Sequence, residues 1–235
     1  MQRSDMAFSS QVIIASLNEK EGIGPTITEF QQTLPARFMV IDGNSTDGTA
    51  EIAQNLGAQV LFQDGKGKGD AIMKGLKNLH PQTKYVVFTD ADHTYPSDSV
   101  PKMIEILDEN PAIGMVCGNR FTNQIDDNAF YGSFSIGNQL IALAHKLLNR
   151  VLLSDPLTGL RVVRADVLKK WNVKSQGFDV EVELNREVRR QKFAMAEVPI
   201  RYRARMGKKK LRVKDGLPIL KRILLEFAYE TASNF

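Results

Sequence analysis

Three apolar runs, each ending in a polar cluster and followed by a helix-forming stretch, predict an α/β fold with a mostly parallel central sheet flanked by helices. The runs are VIIASLNE (Val12–Glu19), FMVIDGNSTDGT (Phe38–Thr49) and VLFQDGKGKGDAIMKGL (Val60–Leu76). Parallel neighbours joined by helices require right-handed crossovers, so the polar strand ends should gather along one edge. In open α/β sheets that edge is where ligands sit.

Taken in order, Val12–Glu19 is a buried strand that breaks into the polar pair Asn18-Glu19. Phe38–Asp42 is the second strand, and the Gly, Asn, Ser and Asp residues after it form a turn before a helix starting near Thr46–Thr49. Val60–Phe62 is a short third strand. The glycine-interleaved loop Gly65–Gly69 follows, with a helix expected from about Asp70. Tyr85–Thr89 is a fourth strand, with Asp90 and Asp92 at its C-terminal end. IGMVCGN places Cys117 in a further buried strand. A helix over about Ser133–Leu153 carries a broad apolar stripe at Ile136, Leu140, Leu143, Leu147 and Val151. Core burial is one explanation of that stripe, and a lipid surface is the other.

The segment YVVFTDADHTYP (residues 85–96) carries the most chemistry. Two carboxylates one residue apart make a hard oxygen site suited to Mg²⁺ or Mn²⁺, ions that also keep waters and substrate phosphates as ligands. An isolated pair of this kind is usually no more than a turn capping the next helix. The neighbouring strand-end motifs favour the functional reading. Asp42 is likewise a favoured turn residue, and Gly65–Asp70 could be a flexible loop. Small residues nevertheless let backbone approach a ligand, and a helix N-terminus with nearby lysines attracts anions. The loop lacks the GxxxxGK[ST] pattern of a Walker A site.

In this order, VIIASLNE, VIDGNSTDGT, GKGKGDAIMKGL, FTDADHTYP, GNRF, DPLTGLRVV and EVPIRYRARMGKKK resemble the inverting nucleotide-sugar glycosyltransferases of family two. The branch they are most similar to is that of the polyprenyl (dolichyl)-phosphate sugar synthases. The similarity runs over residues 9–215. It implies a GT-A (Rossmann-like) fold, with a single domain over 1–235 whose part 201–235 is a basic loop plus an amphipathic helix. It further implies a donor site built from Ala15, Asn18, Glu19, Asp42, Lys68, Gly69, Asp70, Asp90, Ala91, Asp92, Arg205 and Lys210. The implied metal ligands are Asp90 and Asp92, holding Mg²⁺ or Mn²⁺. Acceptor contacts fall on Arg120, Ser135, Thr158 and Gly159, and the catalytic group on Asp90, Asp92, Arg120, Asp155 and Arg161. The implied reaction moves a sugar from UDP-glucose or UDP-N-acetylglucosamine, with GDP-mannose second, to dolichyl or another polyprenyl phosphate. One position departs from the pattern. The lipid-phosphate synthases often carry an arginine after the serine matching Ser135, and here Ile136 stands there.

Glu181 and Glu183 occupy the stretch where relatives acting on hydroxyls supply a base, although a helix-cap or polar-face role is equally open to them. His93 follows the acidic pair and is placed near the metal as an indirect neighbour. His145 and Lys146 are expected at a surface or interface, and neither His145 nor His80 is given a ligand role. Other classes weighed are transfer to a soluble or lipid hydroxyl, a sugar-1-phosphate nucleotidyltransferase, and a non-catalytic membrane or nucleic-acid adaptor.

Net charge is +4 over 235 residues, but residues 201–222 hold ten Lys/Arg against a single acid, Asp215. Such a segment calls for a polyanionic partner. Only Tyr202 is aromatic within its basic part, so no stacking platform for single-stranded nucleic acid is expected. The single cysteine excludes an internal disulfide and agrees with a reducing compartment. MQRSDMAFSS lacks an apolar signal core, and no run of about 18 uncharged apolar residues occurs, so neither export nor a membrane span is expected. Leu217–Tyr229 is amphipathic, with apolar residues at 217, 220, 224, 227 and 228. Together these features imply a cytoplasmic protein, peripheral at the cytoplasmic membrane face.

Overall fold

The structure, a computed structural model, describes residues 8–121, 133–208 and 216–233. The elements are β1 (Ser10–Ser16), α1 (Ile23–Thr33), β2 (Ala36–Asp42), α2 (Thr49–Asn55), β3 (Gln59–Phe62), α3 (Lys68–Lys77), β4 (Tyr85–Asp90) and α4 (Val100–Glu109). They continue with β5 (Ile113–Asn119), α5 (Ser133–Asn149), β6 (Arg161–Arg164), α6 (Ala165–Lys169), α7 (Val180–Arg190), β7 (Ala194–Pro199) and α8 (Gly216–Ser233).

The strands form one seven-stranded sheet in the order β3-β2-β1-β4-β6-β5-β7. Pairings β1–β2, β2–β3, β1–β4 and β5–β7 are parallel, as the strand–turn–helix units predict. β6 runs antiparallel to both neighbours, β4 and β5. Both faces are covered, which explains why β1, β2 and β4 are near-continuous apolar runs. Side chains alternate across the sheet: Val12, Ile14, Val40 and Val87 join one core layer, while Ile13, Met39, Ile41 and Val86 join the other. Cys117 is buried in the second layer, and burial pushes its thiol up to about 12.

Some boundaries differ from expectation. The Ser133 helix ends at Asn149 rather than near Leu153, because Arg150 takes φ 51° and turns the chain away. α3 starts at Lys68, earlier than Asp70, and so brings Lys68 into the first turn. α8 packs Ile219 and Ile223 against Ile141 and Val182, while Leu217, Leu220 and Leu224 remain exposed. Exposed Leu140, Leu143 and Leu147 on α5 extend that apolar surface. On α5, therefore, Ile141 faces the core while Leu140, Leu143 and Leu147 of the expected stripe do not. Among the described residues, no helix is long and apolar enough to cross a membrane.

Candidate active site

Strand order reverses at β1: β2 lies on one side and β4 on the other. The loops leaving β1 and β4 must therefore diverge, and the crevice between them is where a ligand fits. Glu19 follows β1, and Asp90 and Asp92 follow β4, so the crevice is lined with carboxylates. Two glycines permit the close approach. A Cβ on Gly22 would stand 2.5 Å from the Ala91 carbonyl oxygen, and one on Gly159 would stand 2.5 Å from Asp90 Oδ2.

Two cations each bridge a pair of carboxylates. Lys68 Nζ lies 2.7 Å from Glu181 and 2.6 Å from Asp90. Arg205 bridges Asp92, at 2.7 Å, and Glu19. Burial alone would lower the Lys68 pKa, but Asp90 and Glu181 outweigh it and hold the ammonium above its usual range. Burial would raise Asp90, yet Lys68, Arg120 and Arg205 together hold its carboxyl below the usual range. Asp92 goes the other way: burial and the neighbouring Asp90 charge raise it, against Thr94 and Arg205. Among the described residues, these four carboxylates pair with two cations. Glu181 Oε2 is also buried without a hydrogen-bond partner.

That charge surplus decides whether a divalent cation fits. Asp90 and Asp92 supply hard oxygens, and an extra positive charge would relieve their repulsion. Among the described residues, no group of three or more His, Cys, Asp or Glu forms a metal cage. The remaining ligands would be water and substrate oxygens, the usual arrangement for Mg²⁺ with phosphates. The residues fit the metal that the acidic pair implies.

On the β1–β2 side, Asp42 is fully buried. It accepts hydrogen bonds from the hydroxyls of Ser16 (2.9 Å) and Ser45 (2.7 Å) and from the Ser45 N–H (2.6 Å). Asn18, at φ 49°, accepts the Thr46 N–H. The Glu19 N–H donates to Thr49. These contacts shape the turn between Asp42 and α2, so Asp42 at least organises this pocket. Asp70 accepts the Gly65 N–H and closes the glycine loop. The Gly69 N–H donates to the Gln176 carbonyl. Ala15 pairs in register with Asp90, and Ala91 is buried behind the acidic pair.

On the other side, Arg120 forks onto Asp155 at 2.6 and 2.7 Å and lies over the Tyr202 ring. Glu197 in β7 fixes the Asp155 loop by accepting the N–H groups of Ser154 and Asp155. The Gly159 N–H donates to the Tyr95 hydroxyl. Thr158 is fully buried, and its Oγ1 has no partner. Lys210 and the Ser135 side chain lie outside the described residues.

Several roles change on inspection. Arg161 is 2% exposed; its guanidinium donates to the Thr158 and Pro156 carbonyls and to Asn185. It holds the 156–158 loop from beneath and lines a hollow together with Lys68, Gly159 and Glu181. Glu183 is caged by Trp171, Lys174 and Ser175, which corrects its reading as a possible base or polar-face residue. Glu181 is turned inward to Lys68. His145 is fully buried between Asn149 and Asn185, not at a surface. Burial, with Arg161 and Arg186, lowers its pKa to about 3. Its position on α5 one turn from Ile141 was the available signal, since that register faces the core. His93, at φ 61°, sits 3.5 Å from Glu29. Sequence patterning gave no reason to single out Glu29, Arg203 or Glu197.

A mostly parallel sheet with a strand-order reversal and an acidic pair beside it agrees with the GT-A fold of α/β proteins. Glucosyl-3-phosphoglycerate synthase from Mycobacterium tuberculosis, solved with Mn²⁺, UDP and glucosyl-3-phosphoglycerate, shares this fold. The TM-score is 0.76 at 20% identity, covering 94% of this chain and 80% of that one. The glycosyl transferase family 2 profile matches residues 11–171, and the chain belongs to that family. It is similar to a dolichyl-phosphate hexose transferase of Haloferax volcanii, 31% identical over 204 residues and 85% of either chain. Glycosyltransferase AglJ of the same organism is 31% identical over 191 residues, 81% of this chain. The chain spans only 62% of that relative's length.

Proposed function

We propose that the protein is a metal-dependent, inverting glycosyltransferase, one GT-A domain over 1–235, that moves a sugar from a nucleotide sugar to dolichyl or another polyprenyl phosphate. The observation that carries this reading is the surplus of carboxylate over cation at the β1/β4 crevice, with Lys68 and Arg205 already drawn to it. Asn18, Glu19 and Asp42 form the pocket for the base. Lys68, in the first turn of α3, faces the diphosphate, with Gly69 seated on the Gln176 carbonyl so that the turn packs closely and Asp70 closing the loop behind them. Asp90 and Asp92 would hold Mg²⁺ or Mn²⁺, which when bound supplies Lewis-acid stabilisation of the leaving diphosphate. Arg205, with Lys210, adds positive charge where the leaving group develops negative charge.

On the acceptor side, Asp155 orients Arg120, whose guanidinium suits a phosphate. Ser135, Thr158 and Gly159 complete that side. A phosphate is ionised near neutral pH and needs no general base. The internal engagement of Glu181 and Glu183 supports such an acceptor over a hydroxyl. The dolichyl-phosphate name of the Haloferax relative points the same way. The exposed leucines of α5 and α8 beside a basic segment suit an anionic membrane surface on the cytoplasmic side, where each Lys or Arg contributes about 1 kcal/mol. UDP-glucose and UDP-N-acetylglucosamine stand ahead of GDP-mannose as donors.

The test is a donor panel with purified polyprenyl phosphate, in MnCl₂ or in EDTA. The expected product is a sugar–lipid phosphate that disappears in EDTA. Transfer unaffected by EDTA, or transfer only to hydroxyl acceptors, would sink this reading.

A further inference from the structure

Residues 200–206 run beside the acidic loop and are fastened to it by their backbone. The Arg203 N–H donates to the Thr94 carbonyl and the Met206 N–H to the Asp92 carbonyl, each at 3.0 Å. The Tyr202 ring meets Tyr95 edge-on at 5.2 Å. Arg203 then forks onto Glu29 of α1, at 2.6 and 3.0 Å, and Glu29 also accepts the Ser97 N–H. Two residues on, Arg205 reaches Asp92. Asp92 Oδ1 already accepts the Thr94 hydroxyl (2.6 Å) and N–H (3.2 Å), and Arg205 takes Oδ2. Both oxygens of the aspartate are therefore in use before any metal arrives.

We propose that residues 200–206 are a latch in which Arg205 is a displaceable counter-ion on Asp92 and the Glu29–Arg203 clamp sets how readily it lets go. The inference rests on the metal assignment above and adds a competition within it. A divalent cation at Asp92 Oδ2 meets the like charge of the Arg205 guanidinium on the same oxygen and favours its displacement, while Arg205 stays tethered through Glu19. Moving Arg205 pulls on a segment held by the Arg203 and Met206 N–H bonds and by the Glu29 clamp. Glu29 and Arg203 are thus positioning residues: they act on the metal site through Arg205 and touch neither metal nor substrate.

Electrostatics alone and the latch make opposite predictions for Glu29→Gln. Removing a negative charge near the site weakens cation binding by Coulomb's law. Loosening the clamp strengthens it, because Arg205 competes less well. Binding of MnCl₂ alone to the full chain is followed by the electron paramagnetic resonance of free Mn²⁺. The expected result is tighter binding in Glu29→Gln, by about threefold to tenfold given the strength of charge-assisted bonds. The double variant Glu29→Ala with Arg203→Ala, which leaves net charge unchanged, should shift the same way. In the unmodified protein, Mn²⁺ should speed hydrogen exchange of the peptide containing Arg203–Met206. That measurement decides the matter even if the variants fail to fold.

Absence of Mn²⁺ binding by the unmodified protein overturns the metal assignment and the latch together. Mn²⁺ binding that is equal or weaker in Glu29→Gln, with exchange at 203–206 unchanged, overturns the latch and leaves the metal site standing.

Discussion

Two polar clusters meet at α7, and they are built on opposite principles. On one side Glu181 faces Lys68, the first link in a run of charges through Asp90, Asp92 and Arg205 to Glu19. Carboxylates outnumber cations there, and Glu181 Oε2 has no partner. On the other side Glu183 is met by the Trp171 indole, two backbone N–H groups and the Ser175 hydroxyl. Nearby, Arg161 is satisfied by two carbonyls and an amide oxygen. A buried charge whose hydrogen bonds are met in this way, with Arg222 of α8 3.9 Å from Glu183 as a counter-ion, holds a scaffold together. A buried charge left in surplus is poised for a ligand. Two glutamates two residues apart on one helix thus sit in different electrostatic settings.

The largest expected effect tests the surplus side. Asp92→Asn removes a ligand charge and should lower sugar transfer at saturating metal by at least about a hundredfold, as a lost Lewis-acid contact of several kcal/mol implies. Its thermal midpoint should stay the same or rise, because the repulsion from Asp90 is relieved. Retained transfer would remove the distinction drawn here.

Arg161→Met tests the satisfied side. It strands the Thr158 carbonyl and the Asn185 amide oxygen, while the Pro156 carbonyl keeps the Asn185 amide N–H, and each orphaned buried acceptor costs about 1–3 kcal/mol. Urea unfolding should show that loss. A variant of native stability with abolished transfer would instead make Arg161 part of the reaction.

Gly159→Ala sits on the border between the two clusters, since its Cβ would press on Asp90 Oδ2 at 2.5 Å. Transfer should fall by about tenfold, equal to about 1.4 kcal/mol, with little change in the unfolding midpoint. Equal losses in rate and stability would show that Gly159 serves only packing.

The smallest effect is a slope with pH. His145 is buried neutral, its pKa lowered from 6.5 to about 3, so the unfolded chain binds the proton first on acidification. Its contribution to stability is intact above pH 6.5 and is lost as pH falls toward 3, at no more than about 1.4 kcal/mol per pH unit. Urea midpoints of His145→Gln should therefore fall less steeply than those of the unmodified protein over that range. Parallel slopes would mean that His145 is protonated in place.

Much of the fold was legible because its signals are local. A buried parallel strand needs a continuous apolar run, and the turn after it needs Gly, Asn, Asp or Ser; both lie within a dozen residues of chain. Asp42, Asp90 and Asp92 could be placed at strand ends for that reason. The antiparallel insertion of β6 between β4 and β5 left no such mark, since a short apolar run does not declare its direction. The end of α5 was missed because Arg150 turns at a positive φ that its residue type does not announce.

The sequence by itself determined the class of the sheet, the line of strand-end carboxylates, the glycines that let backbones close on them, and the basic charge after β7. All of these follow from composition and short-range periodicity. Only the tertiary structure decided which charge meets which. Arg205 reaches Asp92 across 113 positions and Glu19 across 186, and Lys68 is shared between a strand-end aspartate and α7. It likewise gave Glu183 and Arg161 hydrogen-bond partners in the 174–175 and 156–158 segments and buried His145. Pairings of that kind depend on how layers pack, and a charged residue carries no pattern in the chain that names its distant partner.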